Sequence, residues 1–433
     1  MKGGLLLIIH VVNPGESIYT IAQLYRVSPE SIIEDNELES PNQITPGQTL
    51  VIIEGTRQHT VVQGQSIYSI ARDYGVNVED ILEANPQITN PMQIFPGQII
   101  TIPPRTRKLG TIQVNGYAFP NIDMEVLRKT LPYLTYLSIF SYEVRPDGSL
   151  KSIEDTPLIE AARNAGVAPI MVITNIDEET GGFSSDLAQT ILTNQEVQNT
   201  LIENIMTTLR EKNYYGLDID FEYIYPENRE DYNNFLRTIS QRLREEGYIL
   251  STAVAPKISA DQQGLLYEAH DYPVHGDIVD HVIIMTYEWG YTFGPPLPVA
   301  PLNEVRKVID YAVTEIPSQK IFLGIPNYGY DWTLPYTPGT AARTLTNTGA
   351  VDLANRVRAS IEYDYQAQSP NFRYFDDNGV EHEVWFEDAR SIRAKLGLVY
   401  LYDLGGVSYW TINRFFPQNW LVLNSLYDVE KVL

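Results

Sequence analysis

The sequence predicts an α/β protein built on a (β/α)8 TIM barrel, with two small strand–helix–helix–strand modules in front of it. Three observations predict this. Residues 10–52 and 59–102 repeat one another. From Gly110 onward, β-rich apolar runs alternate with amphipathic helical stretches through eight units. One of those runs carries acidic residues at every second position, a pattern suited to a barrel interior.

The repeats come first. His10-Val11-Val12-Asn13-Pro14-Gly15-Glu16-Ser17-Ile18-Tyr19 aligns with His59-Thr60-Val61-Val62-Gln63-Gly64-Gln65-Ser66-Ile67-Tyr68. Pro46-Gly47-Gln48 then aligns with Pro96-Gly97-Gln98 after one inserted residue. In each copy a strand (His10–Val12, His59–Val62) turns at Gly15 or Gly64, and Ser17 or Ser66 caps a helix. Ile18, Ile21, Ala22 and Tyr25 follow helical spacing. A second short helix starts at Ser28 or near Val78, and Thr49–Ile52 or Ile99–Ile102 closes the module. The expected boundaries are 8–53 and 58–103, with a Pro- and Arg-bearing linker at 104–109 and the barrel at 110–433. Leu5 to Ile9 is too short for a signal core and lacks a small-residue cleavage site, so it reads as the start of the first strand.

Barrel strands are expected at Thr111–Ala118, Tyr136–Phe140, Ile170–Thr174, Gly216–Phe221, Ile249–Val254, His281–Thr286, Ile321–Ile325 and Gly406–Trp410. Helices such as Asn194–Lys212 and Glu227–Glu246 lie between them. Asp331–Glu383 is too long for a plain loop and reads as a small insertion before the last strand, with Arg373–Phe375 and Glu383–Phe386 as a hairpin.

Chemistry in such barrels sits at the C-terminal ends of the strands. The fourth strand reads Gly216-Leu217-Asp218-Ile219-Asp220-Phe221-Glu222. Period two puts Asp218, Asp220 and Glu222 on the inner face and Leu217, Ile219 and Phe221 against the helices. Carboxyls stacked ~7 Å apart in a dry interior cannot all ionise cheaply, so their pKa values separate. That keeps one carboxyl protonated at neutral pH, ready to act as an acid. A metal site or a structural carboxylate cluster is the competing reading, but no His lies near this strand, and a purely structural cluster would destabilise the barrel without return.

Composition narrows the partners. The net charge is −24, with −4 on residues 1–108 and −20 on the rest, so nucleic acid and an anionic membrane are poor partners. The 29 Tyr residues supply flat amphipathic rings suited to sugars, although cores use the same rings. With no Cys, disulfides and thiolate catalysis are excluded.

Both repeats resemble the LysM module. The resemblance implies binding of N-acetylglucosamine-containing glycans in a groove at Gly15, Glu16, Ser17 and Ile44, and at Gly64, Gln65, Ser66 and Ile94. Taken singly, the glycines and serines have the simpler reading of making the turn and the cap. The acidic strand resembles the glycoside hydrolase family 18 signature D-x-x-D-x-D-x-E in its last three acidic positions, with Tyr215 in place of the first Asp. Met285-Thr286-Tyr287-Glu288 is similar to the family's M-x-Y-D, with Glu for Asp. Gly406–Trp410 is similar to the strand bearing its sugar-stacking Trp, whereas Val172-Ile173-Thr174-Asn175 replaces its S-x-G-G.

The combination with two LysM modules resembles bacterial spore cortex-lytic N-acetylglucosaminidases. It implies a substrate-assisted, retaining hydrolase of β-1,4 bonds in peptidoglycan, without cofactor or metal and acting as a monomer in the spore coat, cortex or wall. Glu222 would be the acid and then the base, Asp220 would support the acetamido group, and Asp218 would share a proton with Asp220. Tyr287 would orient the acetamido carbonyl, and Trp410 would floor the reacting sugar. Tyr117, Glu288, Trp289 and Tyr328 are further candidates for substrate contact. A chitinase or muramidase activity, or a catalytically silent wall-binding coat protein, are the alternatives.

Overall fold

A computed structural model describes residues 7–53, 57–103 and 108–433. Leu5, Leu6 and linker residues 104–107 lie outside the described residues.

The barrel strands are β1 (Gly110–Ala118), β2 (Tyr136–Glu143), β3 (Ala168–Thr174), β4 (Gly216–Asp220), β5 (Ile249–Val254), β6 (His281–Ile284), β7 (Ile321–Pro326) and β8 (Gly406–Trp410). Each pairs in parallel with the next, and β8 pairs back onto β1 from Gly406↔Gln113 to Tyr409↔Gly116, so the sheet closes. The outward residues of β4, Leu217 and Ile219, are fully buried under the helices. Helix Gln195–Lys212 begins where Asn194 Oδ1 accepts the N–H groups of Glu196 and Val197. It ends on Asn213 in the left-handed conformation at φ 57°.

The expected strands match apart from their ends, and two differences at those ends matter. β4 stops at Asp220 and β6 at Ile284, so Phe221-Glu222 and Met285-Thr286-Tyr287 belong to the loops that follow. The insertion is larger than a hairpin. Gly329–Thr333, Arg343–Leu345, Glu362–Asp364, Ser369–Phe375 and Glu381–Trp385 form an antiparallel five-stranded sheet beside helix Asn347–Val357. Arg373–Phe375 does form one arm of a hairpin, but it pairs with Glu381–Glu383 rather than Glu383–Phe386, with Arg373 opposite Glu383 and Phe375 opposite Glu381.

Each repeat pairs its two strands antiparallel, Leu7–Val11 with Thr49–Ile53 and Arg57–Thr60 with Ile99–Ile102. Ser17 and Ser66 cap their helices in capping boxes closed by Thr20 and Ser69.

The repeats differ in their surroundings. The first is fastened to the barrel. Thr45 Oγ1 donates to Ala359 O (2.8 Å), Ile361 N–H to Pro46 O (2.9 Å), and Gln418 Nε2 to Asn36 Oδ1 (3.0 Å) and Thr49 O (2.7 Å). Val51 joins the apolar core of the barrel. At the matching positions of the second repeat, Phe95 and Ile99 are 66% and 60% exposed, against 5% and 2% for Thr45 and Thr49. Among the described residues, no helix is long and apolar enough to cross a membrane.

Candidate active site

The acidic residues of β4 project into the barrel as their alternation requires. Asp218 is fully buried and saturated: Tyr117 Oη donates to its Oδ2 and Ser251 Oγ to its Oδ1, both at 2.6 Å. Burial pushes its pKa up to about 6, opposed by those two hydrogen bonds. Asp220 is buried too, and its Oδ1 has no hydrogen-bond partner among the described residues. Its pKa is pushed well above the carboxylate range by burial, then by the charges of Glu222 and Asp218. Glu222 is half-buried at the cleft floor and raised to about 7 by burial and by the Glu288 charge. At neutral pH the site therefore retains protons that solvated carboxyls would lose.

Leaving the strand at Asp220 costs Glu222 its ladder partners, and Asn175 replaces them. Its Oδ1 accepts the Glu222 N–H (2.9 Å) while its Nδ2 donates to the Glu222 carbonyl (2.8 Å). His270 supports the preceding residue. Its Nδ1 accepts the Ala255 N–H, so its Nε2 carries the proton and donates to Phe221 O at 3.0 Å. Burial holds His270 neutral, with a pKa lowered to about 4.

Tyr287 reaches the same cleft by a different local route. After Ile284 the chain tightens through Thr286 N–H to Ile284 O and Tyr287 N–H to Met285 O, both 2.8 Å, and Thr286 Oγ1 donates to Gly324 O at 2.7 Å. Gly324 leaves room for the ring, because a Cβ there would stand 2.9 Å from Tyr287 Cε1 and 2.5 Å from Ile284 O. Burial, followed by the nearby carboxylates, raises the Tyr287 phenol so that it stays a donor. Glu288 turns back at φ 69° and accepts hydrogen bonds from Tyr328 and from Tyr330 (3.1 Å).

Trp410 ends β8. Phe140, Tyr117 and Phe119 meet it edge-on, with centroids at 4.8, 5.4 and 5.7 Å. Asp220, Glu222, Tyr287, Glu288, Tyr328 and Trp410 line one cleft of about 1010 Å³.

Of the further expected substrate contacts, Tyr117 lines the cleft; it is buried and its hydroxyl donates to Asp218. Trp289 is not among the residues lining the cleft. The reversal at Glu288 turns it back against the barrel core, and its backbone N–H donates to Val299 O. The hydrogen bonds described for Asp218 come from Tyr117 and Ser251, with none from Asp220. Tyr215, at the departure from the signature, precedes β4. It packs on Tyr136 with centroids 6.3 Å apart, at the opposite end of the strand from Glu222.

The sequence reading did not find Asn175, Ser251, His270, Phe119, Phe140 or Arg414. Asn175 follows β3 directly and Phe119 follows β1 directly, and position just after a barrel strand is the signal that singles them out.

In the repeats, the polar side chains of the expected groove serve their own turns. Glu16 Oε2 accepts the Asn13 N–H (2.7 Å) and meets His10 Nε2 (2.9 Å). Gln65 Oε1 accepts the Val62 N–H (3.0 Å) and meets His59 Nε2 (2.8 Å). Ser17 and Ser66 are taken up by their helix caps. Gly15 and Gly64 make the turn at φ +85° and +87°, and a Cβ at either would meet nothing within 4 Å. Ile44 and Ile94 pack against their own module cores.

The family model described as Glycosyl hydrolases family 18 matches residues 120–414. The chain belongs to glycoside hydrolase family 18. The LysM domain model matches this family 18 chain at residues 10–52 and 59–103. The family 18 chain is 44% identical to the cortical fragment-lytic enzyme of Bacillus subtilis (strain 168), over 98% of this chain and 99% of that protein. It is 42% identical to the cortical fragment-lytic enzyme of Bacillus anthracis, over 97% and 98%. The crystal structure of the spore cortex-lytic enzyme SleL of Bacillus megaterium QM B1551 superposes with a TM-score of 0.87 at 41% identity, covering 99% of this chain and 100% of that one.

Proposed function

We propose that this glycoside hydrolase cleaves β-1,4 bonds at N-acetylglucosamine in peptidoglycan, acting on spore cortex fragments by a retaining mechanism in which the substrate's acetamido group is the nucleophile. The observation that carries the chemistry is the pair formed by Asp220 and Glu222: a buried carboxyl with an unpartnered oxygen, beside a carboxyl raised to about 7. The whole-length relation to cortical fragment-lytic enzymes supports the substrate.

Glu222 would protonate the glycosidic oxygen as the acetamido carbonyl attacks the anomeric carbon, closing an oxazolinium ring. The free Asp220 Oδ1 would accept the acetamido N–H, and its carboxylate would offset the positive charge that develops. Asp218, with both oxygens accepting from Tyr117 and Ser251, would set the electrostatic environment of Asp220 and share its proton. The Tyr287 hydroxyl would hold the carbonyl oxygen, and the Trp410 face would support the ring. Glu222 would then deprotonate the water that opens the oxazolinium, and two inversions retain the anomeric configuration. Glu288 and Tyr328, joined to each other, would border the neighbouring sugar. The modules would hold polymeric wall, with Gly15, Gly64 and the adjacent backbone offering the contacts that their neighbouring side chains do not.

The test is product analysis on purified cortex fragments, vegetative peptidoglycan and chitin in parallel, with anomeric configuration read by NMR. Products ending in reducing N-acetylglucosamine with retained configuration are expected. An inverted product, or efficient cleavage of a de-N-acetylated sugar at the reacting position, would reject the mechanism. Cleavage of chitin alone would reject the substrate.

A further inference from the structure

The charged residues lining the cleft are Asp123, Asp220, Glu222, Glu288 and Arg414. Four are acids, on a chain of net charge −24. Arg414 is thus the only basic residue among the described residues that line it. Its position is built. Asn327, directly after β7, accounts for three hydrogen bonds that pin the turn following Trp410: its N–H donates to Trp410 O (2.9 Å), and its Nδ2 donates to Thr411 O (2.8 Å) and Arg414 O (2.9 Å). Asn413 Oδ1 accepts the Phe119 N–H (2.9 Å), tying the turn to the end of β1.

The backbone of Arg414 is therefore held, while its guanidinium is exposed and has no carboxylate within ion-pair distance among the described residues. Asp123, the acid from the same side of the cleft, turns its Oδ1 to the Glu125 N–H at 2.7 Å as a helix cap. A cation lining an acidic cleft, carried on a held backbone and with no counter-ion among the described residues, has the chemistry to receive an anion from the substrate.

We propose that Arg414 is a specificity-determining residue that pairs with a carboxylate carried on the 3-O substituent of the muramyl sugar adjoining the reacting N-acetylglucosamine. This rests on the peptidoglycan reading above. In a strand alternating N-acetylglucosamine with muramic acid, both neighbours of the reacting sugar are muramyl, so the pairing does not depend on which end of the cleft Arg414 occupies. Chitin carries no such anion, and a muramic lactam has lost it by cyclisation. The carboxylate has two possible sources, the free lactyl group or the peptide stem attached to it.

The experiment compares three saccharides of equal length, bearing a free lactyl acid, a peptide stem or a lactam, with wild type, Arg414→Gln and Arg414→Lys. Thermal melts check folding; the backbone carbonyl that Asn327 uses survives in both variants. Expected for Arg414→Gln is a fall of about tenfold in the ratio of kcat/KM on a carboxylate substrate to that on the lactam, the scale of one exposed charge-assisted hydrogen bond. Arg414→Lys recovers part of it, and added salt lowers the same ratio in wild type. The saccharide whose ratio moves identifies the carboxylate. An unchanged ratio in Arg414→Gln, with wild type still cleaving the muramyl saccharides, overturns the assignment of Arg414 alone. Failure of wild type to cleave any muramyl saccharide overturns the substrate reading and this inference with it.

Discussion

Replacing Glu222 by Gln should destroy activity and stabilise the fold, and the two effects have one origin. The Glu222 carboxyl is raised from 4.5 to about 7, with burial as the larger cause and the Glu288 charge as the second. A raised folded-state pKa favours the protonated form. The stability linked to this group is fully present below the unfolded value and is lost as pH rises through about 7. At ~1.36 kcal/mol per pKa unit the ceiling is about 3 kcal/mol. Partial exposure and shared titration with Asp220 reduce the expected gain to about 1–2 kcal/mol at pH 8. In a barrel of this size that is a rise in Tm of roughly 2–4 °C. Gln keeps the shape and never ionises, so the gain should appear at pH 8 and vanish at pH 4. Calorimetry of wild type and Glu222→Gln at the two pH values measures it, alongside turnover on cortex fragments, which should fall by at least ~10². A variant that turns over normally, or that is no more stable than wild type at pH 8, would refute the reasoning.

Asp220→Asn should lower kcat by about 10²–10³ with little change in the binding of intact substrate, because in the proposed mechanism its charge would matter most once the oxazolinium forms; stopped-flow binding and steady-state rates separate the two. Glu288→Gln removes a negative charge that raises Glu222, so the alkaline limb of the pH–rate profile, expected near pH 7 in wild type, should move to lower pH by up to about one unit. Movement in the other direction would contradict the assigned cause. Gly47→Ala should destabilise far more than Gly97→Ala in urea melts. Both glycines have φ near +90°, so the backbone strain cancels, but a Cβ on Gly47 would lie 1.8 Å from Ile361 O and one on Gly97 would meet nothing.

Much of this site was legible because a strand's period forces the geometry. Asp218, Asp220 and Glu222 at alternate positions had to face one way, and buried Leu217 and Ile219 confirm the other face. Turn chemistry made the repeats legible in the same way, since Gly15 and Gly64 stand where the backbone needs positive φ. What escaped was what depends on partners distant in sequence. Its place just after β3 marks Asn175 as a candidate, but not that it clamps Glu222 from 47 residues away, and nothing local to Tyr117 says its hydroxyl is spent on Asp218. Trp289 is the residue after Glu288 in sequence but does not line the cleft, because the chain reverses at Glu288, beyond the end of β6 at Ile284. The five-stranded insertion was only half seen, since its strands pair across gaps that have no period of their own.

The fastening of the first repeat implies that the unit that recurs in the sequence is not the unit that melts. Val51 belongs to the barrel's core, and the strand that carries it lies on helices Ala389–Tyr402 and Pro417–Leu426. Heating should therefore give one cooperative transition for the first repeat and barrel together, and a separate one for the second repeat, which keeps its own small core of Val61, Ile67, Ile70 and Ile100. A truncation starting at the barrel would strip those two helices of their cover and leave an apolar face in water. Poor yield or clumping of such a fragment would then report lost packing, and removal of the second repeat alone is the cleaner way to ask what a repeat contributes to holding the wall.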